Sequence, residues 1–155
     1  MIQRIQSLYL LFVVILCLLL LNGSILNFTG TSGTSAGLSA LGTLHDQDQK
    51  LIAQIAPSWT LTALLSAICI ISLADIFMFR NRQLQIFLTA VVIFLSVMLT
   101  GILVWLGHRV INDFKMIFTP GIKMVFPLLM LVFAILAFTG IRKDELLVKS
   151  YDRLR

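Results

Sequence analysis

The sequence predicts an all-α membrane protein, a bundle of four transmembrane helices, and three observations lead there. Of 155 residues, 59% are hydrophobic and only 12% are charged, against roughly 25% charged in an ordinary soluble domain. The mean hydropathy is +0.99. Four apolar stretches meet the length of roughly 20 residues that a spanning helix needs, and no series of alternating strands points to a barrel. Because hydrocarbon offers no hydrogen-bond partners, each crossing segment must satisfy its own backbone, which a helix does. The expected helices are 5–26, 58–79, 84–106 and 121–141, in a single membrane domain spanning 1–155. A long extracytoplasmic loop at 22–57 and a cytoplasmic amphipathic tail at 142–155 complete the layout.

The first helix rests on the unbroken apolar run from Leu8 to Leu21. It reads as a retained helix and not a cleaved leader, because Leu21-Asn22-Gly23 lacks the small-x-small pattern of a cleavage site. Leu16 before Cys17 likewise argues against a lipoprotein signal. With almost no small residues, this helix is expected to be the most lipid-exposed. In the loop that follows, "NFTGTSGTSAG" is rich in Gly, Ser and Thr and reads as a flexible, turn-bearing segment. Further on, "HDQDQKLIAQIAP" places Leu51, Ile52 and Ile55 at helical spacing behind an Asp46/Gln49 capping pair and stops at Pro57. Trp59 and Trp105 stand at the ends of the second and third helices, where interfacial aromatics belong. Only Arg80 to Gln83 separate those two helices, so a tight antiparallel hairpin is expected. The third connection carries Val110, Ile111, Phe114, Ile117 and Phe118, which suits either an interfacial helix or an edge packed on the long loop. Thr119-Pro120-Gly121 forms a turn, and Pro127 either kinks the fourth helix or marks its first turn. Ala63, Ala67 and Ala74 on the second helix, and Ser96, Thr100 and Gly101 on the third, are the candidate close-packing faces.

With four crossings, the N-terminus, the middle hairpin and the tail share one side. That side holds Arg4, Arg80, Arg82, Arg142, Lys143, Lys149, Arg153 and Arg155, whereas the other holds Lys50, Arg109, Lys115 and Lys123. Positive charge is retained in the cytoplasm, so both termini are expected there. The net charge of +5 accordingly reads as a topology signal and an affinity for anionic headgroups of the bilayer. No basic surface interleaved with aromatics supports nucleic-acid binding.

Candidate chemistry is sparse. Asp75 is the one charge inside an expected span, and burying a charge in lipid is costly enough that such residues are functional candidates. Its position about 7 Å along the helix from Arg80 favours pairing with Arg80, Arg82 or Arg4 over a proton or ion relay. His45, His108, Asp46, Asp48 and Asp113 fall on the opposite side without any metal-ligand spacing. Cys17 and Cys69 are expected mid-helix as free thiols. No P-loop, GxSxG, HExxH or CxxC occurs, so neither catalytic residues nor a cofactor or metal site is expected. In the tail, Leu147, Tyr151 and Leu154 share a helical stripe and Glu145 faces Lys149. These residues, with the basic residues of the same side, are the candidate docking or headgroup-binding set.

"MIQRIQSLYLL" at the start, "FRNRQLQI" at the hairpin and "IRKDELLVKSYDRLR" at the end resemble an uncharacterised family of small four-helix inner-membrane proteins from Bacteroidota, a domain of unknown function. The resemblance spans the chain and implies a bacterial inner membrane with both termini inside. It implies no activity. The leading functional expectation is a non-enzymatic accessory or scaffold subunit that docks a membrane or cytosolic partner through its cytoplasmic face. A small transporter or channel using Asp75 is the alternative, and an enzyme acting on lipid or quinone is a third, for which no residues can be named.

Overall fold

The computed structural model describes residues 3–29, 35–40, 58–78, 81–114 and 117–152. In chain order these form helix α1 (Gln3–Leu21), strands β1 (Ser24–Thr29) and β2 (Ser35–Ser39), helices α2 (Ser58–Phe77) and α3 (Arg82–Phe114), strand β3 (Ile117–Thr119), a 3-10 turn (Ile122–Val125) and helix α4 (Phe126–Asp152). Each helix packs on its sequence neighbour, and α4 closes the ring against α1. Neighbours run antiparallel: the Cys17 thiol, late in α1, donates to the Leu65 carbonyl, early in α2, at 3.0 Å. Three helices, α2, α3 and α4, are long and apolar enough to cross a membrane; the apolar part of α1, Ile5–Leu21, is shorter.

One buried stripe per helix builds the core. On α2 it is Leu61, Leu65, Ile68, Ser72 and Asp75, and on α3 it runs Gln85, Thr89, Val92, Ser96, Leu99, Leu103, Leu106 and Val110. Alternating steps of three and four residues keep such a stripe facing one direction along a packed helix. Helix α1 contributes Leu10, Val13, Cys17 and Leu20 to the core, and α4 contributes Met130, Ala134 and Ala137. The opposite faces expose Phe12, Leu18, Ile70, Phe87, Phe94, Val104 and Val132, an apolar exterior suited to lipid.

Several expectations are corrected. Helix α1 packs on both α2 and α4 through a buried stripe that includes Leu10, Val13, Cys17 and Leu20, although Leu8, Leu11, Phe12, Ile15, Leu18 and Leu19 are exposed on its other face. Ala63, Ala74 and Gly101 point outward, while the larger Leu61, Leu65 and Ile68 form the packing face. The first helix stops at Leu21 and not at residue 26, because Gly23, at φ +85°, turns the chain into β1. In that left-handed region only glycine is unstrained. Much of the segment expected as a flexible loop is sheet: β1 lies between β2 and β3, antiparallel to both, with Phe28 opposite Ala36 on one side and Phe118 on the other. The third connection supplies β3, the edge-on-loop alternative, after α3 has run eight residues past its expected end at 106. Val110 continues the buried stripe and explains the extension. Pro127 occupies the second position of α4, where its missing N–H costs nothing, so it marks the first turn. Helix α4 then continues through the expected tail to Asp152. The helix expected around Leu51 to Ile55 lies outside the described residues.

The sheet caps the end of the bundle opposite the chain termini. Ile25, Leu26, Phe28 and Leu38 are buried in one cluster with Leu103, Leu106 and Val110. Lys123, in the 3-10 turn, reaches back to the Asn22 carbonyl just before β1, and Thr62 of α2 reaches that of Ala40 just after β2. An open-edged sheet leaves backbone groups unpaired, which lipid-exposed hydrocarbon does not tolerate.

Candidate functional site

At the end opposite the sheet, the core changes from apolar to polar. The stripes place Gln6 at the start of α1, Ser72 and Asp75 near the end of α2, and Gln85 and Thr89 at the start of α3, all buried. Antiparallel packing brings these five to one level. The carboxyl of Asp75 is fully buried, and the Thr89 hydroxyl donates to its Oδ2 at 2.7 Å while also lying 2.7 Å from the Gln85 carbonyl. Asp75 Oδ1 and Ser72 Oγ, one helical turn apart, are both buried without a hydrogen-bond partner among the described residues.

A second set of bonds ties α1 and α3 to α4. The Gln6 side-chain amide donates to Asp144 Oδ2 at 2.8 Å, and the Arg82 guanidinium donates to the Asp144 carbonyl at 3.2 Å. Gly140, one turn before Asp144, gives Gln6 room, since a Cβ there would lie 3.0 Å from Gln6 Cγ. Gly140→Ala therefore sets a helix-propensity gain of about 1 kcal/mol against displacement of an amide whose bond to a carboxylate contributes about 1.5–3 kcal/mol. The bond outweighs the propensity, so the single variant is expected to lower the unfolding free energy. In a Gln6→Ala background the same change should raise it. Unfolding in mixed micelles checks the sign reversal; destabilisation in both backgrounds would disprove the account.

Asp75, expected to pair with an arginine, is held by a threonine. Of the three arginines considered, only Arg82 has a described side chain, and it engages Asp144. Arg142 and Lys143 are exposed on α4 just past the buried Ile141. Leu147, Lys149 and Tyr151 lie on the same helix, but their side chains, like those of Arg4, Arg80, Arg153 and Leu154, are outside the described residues. Gln6, Ser72, Gln85, Thr89 and Asp144 escaped the sequence reading. Their signal was positional: each of the first four falls at the register of the apolar stripe on its own helix.

The sheet end offers a different feature, an apolar groove of about 360 Å³ between α3, α4 and the strands, lined by Leu26, Leu103, Gly107, Phe118 and Leu128 among others. His108, at its edge and exposed, shares a 3.0 Å hydrogen bond with Asn112. The Arg109 guanidinium lies 4.5 Å from the centre of the Trp105 ring, a cation–π contact suited to an interface. Among the described residues no group of three His, Cys, Asp or Glu side chains could hold a metal ion. Cys17 and Cys69 are free thiols.

Residues 2–154 match a family described as a domain of unknown function (DUF4293), and the chain belongs to that family. No curated protein and no solved structure matches it.

Proposed function

We infer that this family member is a non-catalytic integral protein of the bacterial inner membrane, in which α1 also crosses and both termini are cytoplasmic. Its role is that of an accessory or scaffold subunit, docking a membrane or cytosolic protein through the end that carries the termini. The observation that supports this most is the course of α4: one helix leaves the apolar bundle at Ile141 and continues to Asp152. Eleven residues at 1.5 Å each carry it about 16 Å beyond the core. At its root Asp144 is bonded to α1 and α3, so the arm leaves the bundle in a set direction. Ordering a peptide on binding costs about 1–2 kcal/mol per residue, and an arm that is already helical avoids most of that. Arg142 and Lys143 beside it suit anionic headgroups at the same surface.

Truncation after Leu146 removes the distal arm and leaves Asp144 and the core intact. The truncated protein is expected to unfold at the same point as the full chain yet lose partners co-purified from native membranes. Identical partners with and without 147–155 would overturn the docking role. A second reading, a small transporter or channel, is favoured by one observation: a buried carboxyl with an unpartnered oxygen beside an unpartnered hydroxyl.

A further inference from the structure

We propose that Asp75 Oδ1 and Ser72 Oγ are ligands of a monovalent alkali cation held between α2 and α3 near the terminus-bearing end of the bundle. The docking role neither requires this site nor is required by it. Both side chains are fully buried on one face of α2, three residues apart, and neither atom has a hydrogen-bond partner. Side chains at that spacing are neighbours, about 5–6 Å between their Cβ atoms, yet here they do not bond one another. Two buried oxygens one helical turn apart, neither with a partner among the described residues, suit a bridging species that accepts lone pairs from both.

The surroundings select its charge and hardness. Across the interface Thr89 secures Asp75 Oδ2, which fixes the carboxyl and leaves Oδ1 for a ligand. Gln85, buried one turn before Thr89, adds a neutral polar side chain to the same level. Oxygen-only surroundings favour hard cations over the softer metals that seek imidazole or thiolate. Among the described residues the site contains a single buried carboxylate, because the other acidic side chains near this end, Asp144 and Glu145, are only half-buried, and Asp144 is engaged by Gln6. One negative charge is neutralised by one positive charge, whereas divalent sites recruit several carboxylates. An anion is excluded by the same count. Among the described cationic side chains of this end, Arg82 is directed at the Asp144 carbonyl and Arg142 and Lys143 are exposed, so none of these three supplies Asp75 with a bonded counter-charge. A buried, unpaired carboxylate is strongly disfavoured, and a bound cation removes that penalty. Asp75 lies two residues before the end of α2, so the path from solvent is short.

The test uses the full chain in detergent or nanodiscs, with thermal unfolding followed at constant pH and ionic strength while sodium chloride replaces choline chloride. The expected result is a midpoint that rises with sodium, by about 3–6 °C per tenfold once above half-saturation. Ser72→Ala should move half-saturation to about tenfold higher sodium, the effect of a lost ligand contributing about 1.4 kcal/mol. Asp75→Asn, which keeps an acceptor for Thr89, should fold and lose the sodium response. Equal midpoints in sodium and choline would overturn the site, as would a sodium response that survives in Asp75→Asn. A midpoint that moves with pH and ignores the cation would show the carboxyl neutralised by a proton, which also overturns it. Potassium and lithium in place of sodium rank the cations by size.

Discussion

Thr89→Val is expected to cost about 2–3 kcal/mol of unfolding free energy, the largest loss from removing any single hydroxyl in this bundle. Valine keeps the volume and branching of threonine, so packing against α2 is preserved and the change isolates one O–H group. Among the described residues that group is the sole hydrogen-bond donor to the buried Asp75 carboxyl. Two magnitudes compete for the estimate. Neutral side-chain hydrogen bonds between membrane helices average about 0.6 kcal/mol and reach about 1.7. A bond to an acidic group, whose loss leaves the whole carboxyl unsolvated, falls in the range of about 1.5–3 kcal/mol. The second class governs here because Asp75 is at 0% exposure and Oδ1 already lacks a partner. Thr89→Ser, which retains the hydroxyl, should lose far less. Thr89→Val combined with Asp75→Leu should be less destabilised than Thr89→Val alone, since removing both partners leaves nothing stranded. Unfolding in mixed micelles across the four-protein cycle measures the coupling. A change within about 0.5 kcal/mol for Thr89→Val would place it with ordinary surface substitutions and show that the bond contributes nothing.

The helices were legible because hydrocarbon imposes length and apolarity on any segment that crosses it. Which face of each helix turns inward was not, because lipid and core are equally apolar and the usual contrast between a wet and a dry side disappears. Ala63 and Ala74 illustrate the failure: small residues were assigned to the interface, yet they face outward while Leu61, Leu65 and Ile68 pack. The better guide lay in the polar residues. Ser72 and Asp75 share the register of Leu65 and Ile68, and Gln85 and Thr89 share that of Val92 and Leu99. Polar groups in a membrane helix avoid lipid, so they mark the inner face where aliphatic residues cannot. The sheet was illegible for another reason. Its central strand pairs with β3, about ninety residues later, and no local signal reports so distant a partner. The alternation of buried and exposed positions in β1 is interrupted, since both Ile25 and Leu26 are buried beside the register shift between Ser24 and Leu26. Leu26 then read as the end of a helix. The intramembrane candidate itself, Asp75, is legible from its charge alone, whereas its bond to Thr89, fourteen residues away, is not, and of the expected arginines Arg82 engages Asp144 instead.

Phe28→Ala is expected to be the most damaging substitution, at about 3–5 kcal/mol, and the reason is the solvent on the far side of the sheet. Phe28 is the largest fully buried side chain, packed with Ile25, Leu38 and Leu106 and meeting the Phe118 ring edge-on at a centroid distance of 5.7 Å. Within the spans, a leucine that leaves the core enters lipid that is just as apolar, so only packing is lost. At the sheet the alternative environment is water or headgroups, and the full transfer term of about 25 cal/mol per Å² applies in addition to the cavity. The aromatic pair adds about 0.5–1.5 kcal/mol. The loss for Phe28→Ala should therefore exceed that for Met130→Ala, although both side chains are fully buried. Phe28→Leu, which restores most of the volume, should recover more than half of the loss. Removing Phe28 should also loosen β1 from β3 and so open the groove that Leu26 and Phe118 help to line, measurable as faster amide exchange at Asn27 to Thr29. Equal losses for Phe28→Ala and Met130→Ala would mean that the sheet packs in an environment as apolar as the bundle, and the cap would then have to be moved into the hydrocarbon.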